Sequence, residues 1–196
     1  MSEQRRLLLA GELALLPTDT VYGVGCAARR ADAAARLYEL KQRPPTQPTA
    51  LVAGSVDMLV RDLLPELLGR AAVLCRRVFP GPVTLVVGNP GGRFAHLCGD
   101  TPDRIGVRVP VLADAVAQLA DAVGGLALTS ANLRGGEPPR SLAEVPAEVV
   151  SAVAFAIDGG VLPGAPSCVI DVTGGEPMVV RGSPGVAAQL RLLTGA

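Results

Sequence analysis

Apolar residues in this chain fall largely into runs of four or five, each closed by glycine or proline, with stretches of helical periodicity between them. Runs that short fit buried strands better than helices. Residues 13–16 stop at Pro17 and predict a strand that delivers the polar loop Thr18, Asp19, Thr20, Val21, Tyr22, Gly23 to one sheet edge. Further strands are predicted at 50–53, 83–87, 105–109, 126–129, 153–157, 168–172 and 177–180. Helices are predicted over 3–10, 32–40, 55–61, 64–79, 111–123 and 183–193. Ala33, Leu37 and Leu40 share a helical face, and Pro44-Pro45 stops that helix. Pro65 is allowed in a first turn, Pro80-Gly81-Pro82 enforces a turn into 83–87, and Ser183-Pro184 is an N-cap and N1 pair. Ser141 and Glu144 have capping-box spacing, with Pro146 keeping that helix short, and 88–103 reads as an exposed connection. The alternation gives a mixed α/β domain of about seven short strands, with no dividing linker and no internal repeat.

Composition refines this picture. At 196 residues the expectation is one domain spanning 1–196, large enough to bury about 70% of its extended surface without a disulfide or metal. The hydrophobic fraction is 49% but the aromatic fraction 3%, so the core must be Ala, Val and Leu in close helix-on-sheet packing. Glycine and proline make up 40 of 196 residues without a collagen-like period, which fits many turns in a compact fold. Eighteen basic side chains, Lys41 and 17 arginines, balance 18 acidic ones. Zero net charge argues against a histone-like tail, a polybasic membrane anchor or a broad nucleic-acid surface, and leaves room for a local basic pocket. Cys26, Cys75, Cys98 and Cys168 are widely spaced, with no secretory segment before them and no apolar stretch approaching 18 residues. Reduced thiols, a cytoplasmic location and no membrane contact are the expectation.

Several familiar chemistries fail on spacing. Gly23-Val-Gly25-Cys-Ala-Ala28 superficially matches a dinucleotide fingerprint, but a polar loop separates it from the first strand and Glu39 lies within helical periodicity. No P-loop run exists, and one histidine cannot make a zincin or deaminase signature. His96 and Cys98 read as an ordinary loop pair, and a Ser/His/Asp hydrolase would lack its nucleophile elbow.

Four polar clusters at strand or helix ends carry more. Lys41 and Arg43 leave the last turn before Pro44-Pro45, so a compact ammonium and a guanidinium fork could grip one anion; the bland alternative is a solvated helix end. Thr129, Ser130 and Asn132 offer hydroxyl and amide groups for phosphate or metal-bound water, or simply form a turn. Thr18, Thr20 and Tyr22 offer hydroxyls to a polar substrate, while Asp19 could instead cap its loop. Arg108 and Arg181 stand at further strand ends. Together the clusters suggest one composite site.

With these motifs in order, Pro17 through Gly23, Lys41-Gln-Arg43-Pro44, Pro80 through Leu85, Arg108-Val-Pro110, Thr129-Ser-Ala-Asn132, Asp158-Gly-Gly160, Ser167 through Asp171 and Arg181-Gly182, the chain resembles the YrdC/Sua5 family of L-threonylcarbamoyladenylate synthases. The resemblance implies a twisted mixed sheet flanked by helices around a positively charged cavity, in the single-domain form. It implies a nucleotidyltransferase that converts L-threonine, bicarbonate and ATP to threonylcarbamoyl-AMP and pyrophosphate. A tRNA threonylcarbamoyl-transferase complex then modifies N6 of tRNA adenosine 37. Lys41, Arg43, Ser130 and Asn132 fall on the principal site positions, with Thr18, Thr20, Tyr22, Arg108, Thr129, Ser167 and Arg181 as further substrate and ATP contacts. Mg2+ would arrive with ATP, helped by Ser130 and Asn132 and without a dedicated protein ligand set.

The chain departs from the commoner pattern at Gln47, often histidine, at Thr49, often leucine, at Arg134, often serine, and at Cys168, usually threonine. These changes touch the amino-acid pocket, so a different amine acceptor with the same carbamoyl-adenylate chemistry is one alternative. A structured-RNA-binding module is the other, though two tyrosines and no tryptophan disfavour broad stacking.

Overall fold

The computed structural model describes residues 2–165, 167–174 and 176–182. The strands are β1 (Ala14–Pro17), β2 (Tyr22–Ala27), β3 (Ala50–Val52), β4 (Val83–Gly88), β5 (Arg104–Arg108), β6 (Leu126–Ser130), β7 (Phe155–Ala156), β8 (Cys168–Asp171) and β9 (Met178–Arg181). The helices are α1 (Glu3–Leu9), α2 (Ala31–Leu40), α3 (Gly69–Val78), α4 (Asp114–Ala122) and α5 (Ala147–Ser151). The strands form one mixed sheet in the order β7-β1-β2-β6-β3-β5-β4-β8-β9. Pairs β7-β1, β3-β5 and β4-β8 are parallel and the rest antiparallel.

Nine strands replace the expected seven or so, and β2 is the one the sequence hid. All six of its residues are buried between β1 and β6, so no polar alternation marks it, and Gly23, Gly25 and Ala27 have little strand propensity. Gly25 is needed there because a Cβ would lie 2.4 Å from the Ala127 carbonyl oxygen. The long helix expected over 64–79 begins only at Gly69. Residues 64–67 form a separate turn, and Gly69 at φ +59° reverses the chain before α3. The short helix expected over 55–61 is present and runs on to Leu63, with Met58–Leu63 wound as a π-helix.

The connection over 88–103 is a folded loop with buried anchors. Asn89 donates to the Arg93 and Pro102 carbonyls (2.9 and 3.0 Å) and accepts from the Arg93 amide (3.1 Å). Phe94, Leu97 and Cys98 enter the core beneath it. Ser141 makes no capping bond; the Glu144 carboxylate instead accepts from the Arg140 amide at 2.7 Å. The helix expected over 183–193 lies outside the described residues.

Strand alternation divides the apolar side chains between two faces. Leu15, Val24, Cys26, Leu51, Leu85, Ile105 and Val107 pack with residues of α2 and α3. Ala14, Leu16, Ala27, Val52, Leu126 and Leu128 pack with Leu8 of α1 and with Val116, Leu119 and Ala120 of α4. Burial pushes the Cys26 and Cys75 thiols up to about 12, which makes them poor nucleophiles at neutral pH.

Candidate functional site

The second face is only partly covered by α1 and α4, and the remainder forms the floor of a cavity of about 380 Å³. Gly23, Ala50, Thr84, Val86, Gly106 and Leu128 lie along this floor. The loop after β1, the segment 43–49 after α2, Ser130 at the end of β6, and Ser167 and Arg181 on the last hairpin form the walls. Short side chains at the floor and long ones at the walls keep the centre open.

Of the residues singled out in the sequence, Thr18, Thr20, Arg43, Arg108, Thr129, Ser130, Ser167 and Arg181 all line this cavity. The loop carrying Thr18 and Thr20 is self-tied: Thr18 Oγ1 donates to the Val21 carbonyl (2.7 Å) and accepts from the Thr20 and Val21 amides (3.2 and 3.3 Å). Arg108, 9% exposed, donates to Asp19 Oδ1 (2.5 Å) and Thr20 Oγ1 (3.0 Å). Its Nε is buried and has no partner. Asp19 also accepts from the Val111 amide (3.1 Å), so it both caps its loop and pairs with the arginine.

Arg43 donates to Thr49 Oγ1 (3.0 Å) and the Pro48 carbonyl (3.4 Å), and Arg181 to the Ser167 carbonyl and hydroxyl (3.2 and 3.3 Å). These acceptors are neutral. Burial lowers the pKa of Arg43 and of Arg108, and the charge of Arg181 lowers both further, so each of the two feels Arg181 across the cavity. Arg104, which the sequence reading missed, also lines the cavity and pairs with Asp171 at 3.0 Å. Thr84 and Gly106 were missed with it; their signal was the every-other-residue register with Arg108 and Val86 on neighbouring strands.

Lys41, Asn132 and Tyr22 do not line the cavity. Lys41 is 7% exposed and stands behind the wall, where its ammonium donates to the Ser130 carbonyl (2.7 Å), the Asn132 carbonyl and Asn132 Oδ1 (3.3 Å). Burial, and after it the charge of Arg43, pushes Lys41 down to about 8. Asn132 Oδ1 also accepts from the Ser130 hydroxyl (2.5 Å), and its amide donates to the Gly136 carbonyl (2.7 Å). Ser130 therefore reaches the cavity from a loop held by Lys41 and Asn132.

Tyr22 is fully buried under the opposite side of its strand. Its hydroxyl accepts from the Gly159 amide (2.8 Å) and lies 3.0 Å from both Asp158 Oδ1 and the Gly160 carbonyl, tying β2 to the Asp158-Gly-Gly turn. Burial pushes this phenol up. We expect Tyr22→Phe to lower stability by about 0.5–1.5 kcal/mol in urea unfolding, because the phenol's hydrogen bonds to the exposed turn are lost while the Gly159 amide can turn to water, and to leave ligand affinity at the cavity nearly unchanged.

Gln47 and Thr49 line the cavity, Arg134 lies on a separate groove beside α2, and Cys168 is half-buried beside Ser167. The residues of the apparent dinucleotide fingerprint form β2 itself, which removes the phosphate-binding turn that reading requires. His96 Nε2 donates to the Ala28 carbonyl (2.9 Å) and Cys98 is fully buried, so the pair is structural. Among the described residues no group of three or more His, Cys, Asp or Glu could hold a metal ion, and no helix is long and apolar enough to cross a membrane.

These features define a mixed α/β protein of YrdC-like fold with a polar, arginine-walled cleft on the open part of one sheet face. The chain belongs to the YrdC/Sua5 family: residues 6–183 match the family profile of Sua5, YciO and YrdC, whose description is "Telomere recombination". It is 37% identical to the threonylcarbamoyl-AMP synthase of Chromohalobacter salexigens, over 87% of this chain and 91% of that protein. It is 33% identical to that of Pyrococcus abyssi, over 87% of this chain, and spans only half the length of that relative. The crystal structure of P. abyssi Sua5 complexed with L-threonine superimposes with a TM-score of 0.80 at 30% identity, over 90% of this chain and 52% of that one. This homology supports nucleotidyltransferase chemistry of the threonylcarbamoyl-AMP synthase type.

Proposed function

We propose that the protein joins L-threonine, bicarbonate and ATP into threonylcarbamoyl-AMP, pyrophosphate and water. The observation that carries this reading is that Arg43, Arg108 and Arg181 line one cavity, where among the described residues the first and last hydrogen-bond neutral acceptors and Arg108 keeps a buried unpartnered Nε. Arg43 and Arg181, so placed, would be stabilised by anions that the described residues around them do not supply, while Arg108 already pairs with Asp19. The substrates bring two kinds, phosphate and carboxylate, which makes the cleft positively charged towards them. The complex of P. abyssi Sua5 with L-threonine supports the amino acid as one occupant.

In this reading the threonine amine attacks the carbon of bicarbonate or of carbon dioxide derived from it, water departs, and a carbamate forms. A carbamate oxygen then attacks the α-phosphorus of ATP, the bond to the bridging oxygen breaks, and pyrophosphate leaves. Arg43 and Arg181 neutralise phosphate charge from fixed positions, electrostatic help that needs no proton transfer. Arg108 holds the threonine carboxylate through the part of its guanidinium that lines the cavity, with Thr18, Thr20, Thr129 and Ser167 orienting the rest. Ser130 faces the phosphates, and Lys41 and Asn132 hold Ser130 in place. Among the described residues no carboxylate lines the cavity, so its donors suit a hydrated Mg2+ carried in by ATP, with Ser130 contacting its shell and Asn132 supporting Ser130, more than a resident ion. A cytoplasmic transferase complex would consume the adenylate at tRNA adenosine 37.

The test is incubation of the purified protein with ATP, Mg2+, bicarbonate and L-threonine, with pyrophosphate and threonylcarbamoyl-AMP as readouts. Serine and glycine serve as competing amines. Formation of adenylate with threonine above the others is the expected result. Tight binding of structured RNA with no adenylate from any amine would overturn the reading.

A further inference from the structure

β5 alternates cleanly between the two faces. Ile105 and Val107 are buried in the core, while Arg104, Gly106 and Arg108 line the cavity. In the sheet register Gly106 sits opposite Val86 of β4 and beside Ala50 of β3. A Cβ placed on Gly106 would meet only the Thr84 methyl at 3.6 Å and the Ala50 Cα at 4.0 Å, both ordinary contacts. Its backbone is not among the positive-φ glycines either. Neither packing nor conformation requires glycine here, in contrast to Gly25, whose Cβ would strike a backbone carbonyl.

What the missing side chain creates is a notch in the cavity floor. Across the sheet its borders are apolar, Ala50, Val86 and the Thr84 methyl, and along β5 it lies between Arg104, which is paired with Asp171, and Arg108. Arg108, with its unpartnered Nε, is two residues along the same face, about 7 Å away at the backbone. A carboxylate anchor beside a small apolar recess fits an α-amino acid with a short side chain. The phosphates, by contrast, need the cations at Arg43 and Arg181, which lie on the segment after α2 and on β9.

We propose that Gly106 is a specificity-determining position: the notch receives the aliphatic part of a short amino acid whose carboxylate lies on Arg108, and its depth limits the size of the amine substrate. This rests on the reading above, that the protein adenylates a carbamoylated amino acid. A β-branched side chain is well suited to a strand and would fill the notch from below.

The experiment compares wild type, Gly106→Ala and Gly106→Val in adenylate formation, with kcat/KM for L-threonine and for L-serine, which lacks the methyl group, and KM for ATP. Both variants are expected to fold, with melting temperatures within about 4 °C of wild type. In Gly106→Val the ratio of threonine to serine kcat/KM should fall at least about tenfold, the scale on which a pocket senses one methyl group, with Gly106→Ala changing in the same direction and KM for ATP unchanged. An unchanged ratio in an active Gly106→Val enzyme overturns the proposal and leaves the functional reading standing. A rise in KM for ATP in step with that for threonine also overturns it, since the notch would then hold nucleotide. If both variants unfold, the position is a packing position and the proposal fails. Wild type inactive with every amine would remove the functional reading and this inference with it.

Discussion

Arg108→Met is expected to lower stability by about 3–5 kcal/mol, the usual consequence of leaving one member of a buried ion pair without the other. Both side chains of the Arg108–Asp19 pair are close to nine-tenths buried, and the carboxylate that remains would keep only the Val111 amide as a partner. Adenylate formation should fall below detection in the same variant, because the proposed carboxylate anchor goes with the guanidinium. Urea unfolding and an activity assay at saturating ATP measure the two losses separately. The double variant Asp19→Leu with Arg108→Met distinguishes their causes. Replacing a buried pair by apolar groups of similar volume is often neutral, so most of the stability should return, while activity should not. Failure to regain stability would mean that the pair is not what holds the loop, and a double variant that regains activity would remove Arg108 from substrate binding.

That ion pair also marks where sequence reasoning reaches its limit. Arg108 and Asp19 were each visible as polar residues at the ends of strands, yet their contact spans 89 positions and joins the β1–β2 loop to β5. Strand ends are local properties of turn residues and apolar runs; which ends meet depends on the order of strands in the sheet. The runs at 83–87, 105–109 and 126–129 were legible because each is mostly apolar and meets glycine or proline at one end or both. β2 was not, since a strand buried on both faces and half glycine and alanine carries no polar alternation and Val24 as its one β-branched residue. At the site, residue chemistry was legible and direction was not. Arg43 and Lys41 stand two residues apart at one helix end, but only Arg43 lines the cavity, while Lys41 turns back beneath the loop that carries Ser130. Gly106 illustrates the converse, because a functional role that consists of a missing side chain leaves no polar signature to read.

Lys41→Met should separate activity from stability. The buried ammonium carries a desolvation cost that methionine removes, and the carbonyls of Ser130 and Asn132 are only half-buried, so water can replace part of what they lose. The two effects oppose each other, and the net change at neutral pH should stay within about 2 kcal/mol. Lys41 sits near 8 in the folded protein, below its ordinary 10.5. Below pH 8 both folded and unfolded chains keep the proton and the full cost of burying the charge is present. Between pH 8 and 10.5 the folded protein releases a proton that the unfolded chain retains, so wild type should gain stability relative to Lys41→Met as pH rises through that window. Urea unfolding of both proteins at pH 7 and pH 10 measures this, and a wild-type stability that falls relative to Lys41→Met as pH rises would contradict it. Activity should behave otherwise, falling about 100-fold because a Ser130 displaced by even one ångström no longer meets its phosphate. Lys41→Arg should not rescue it, since a planar fork cannot deliver three convergent donors into a space shaped for an ammonium. If Lys41 acts through Ser130, its loss and that of the serine hydroxyl are one loss, and the double variant Lys41→Met with Ser130→Ala should be no slower than the worse single variant. Full additivity would instead give Lys41 an independent contact with the nucleotide.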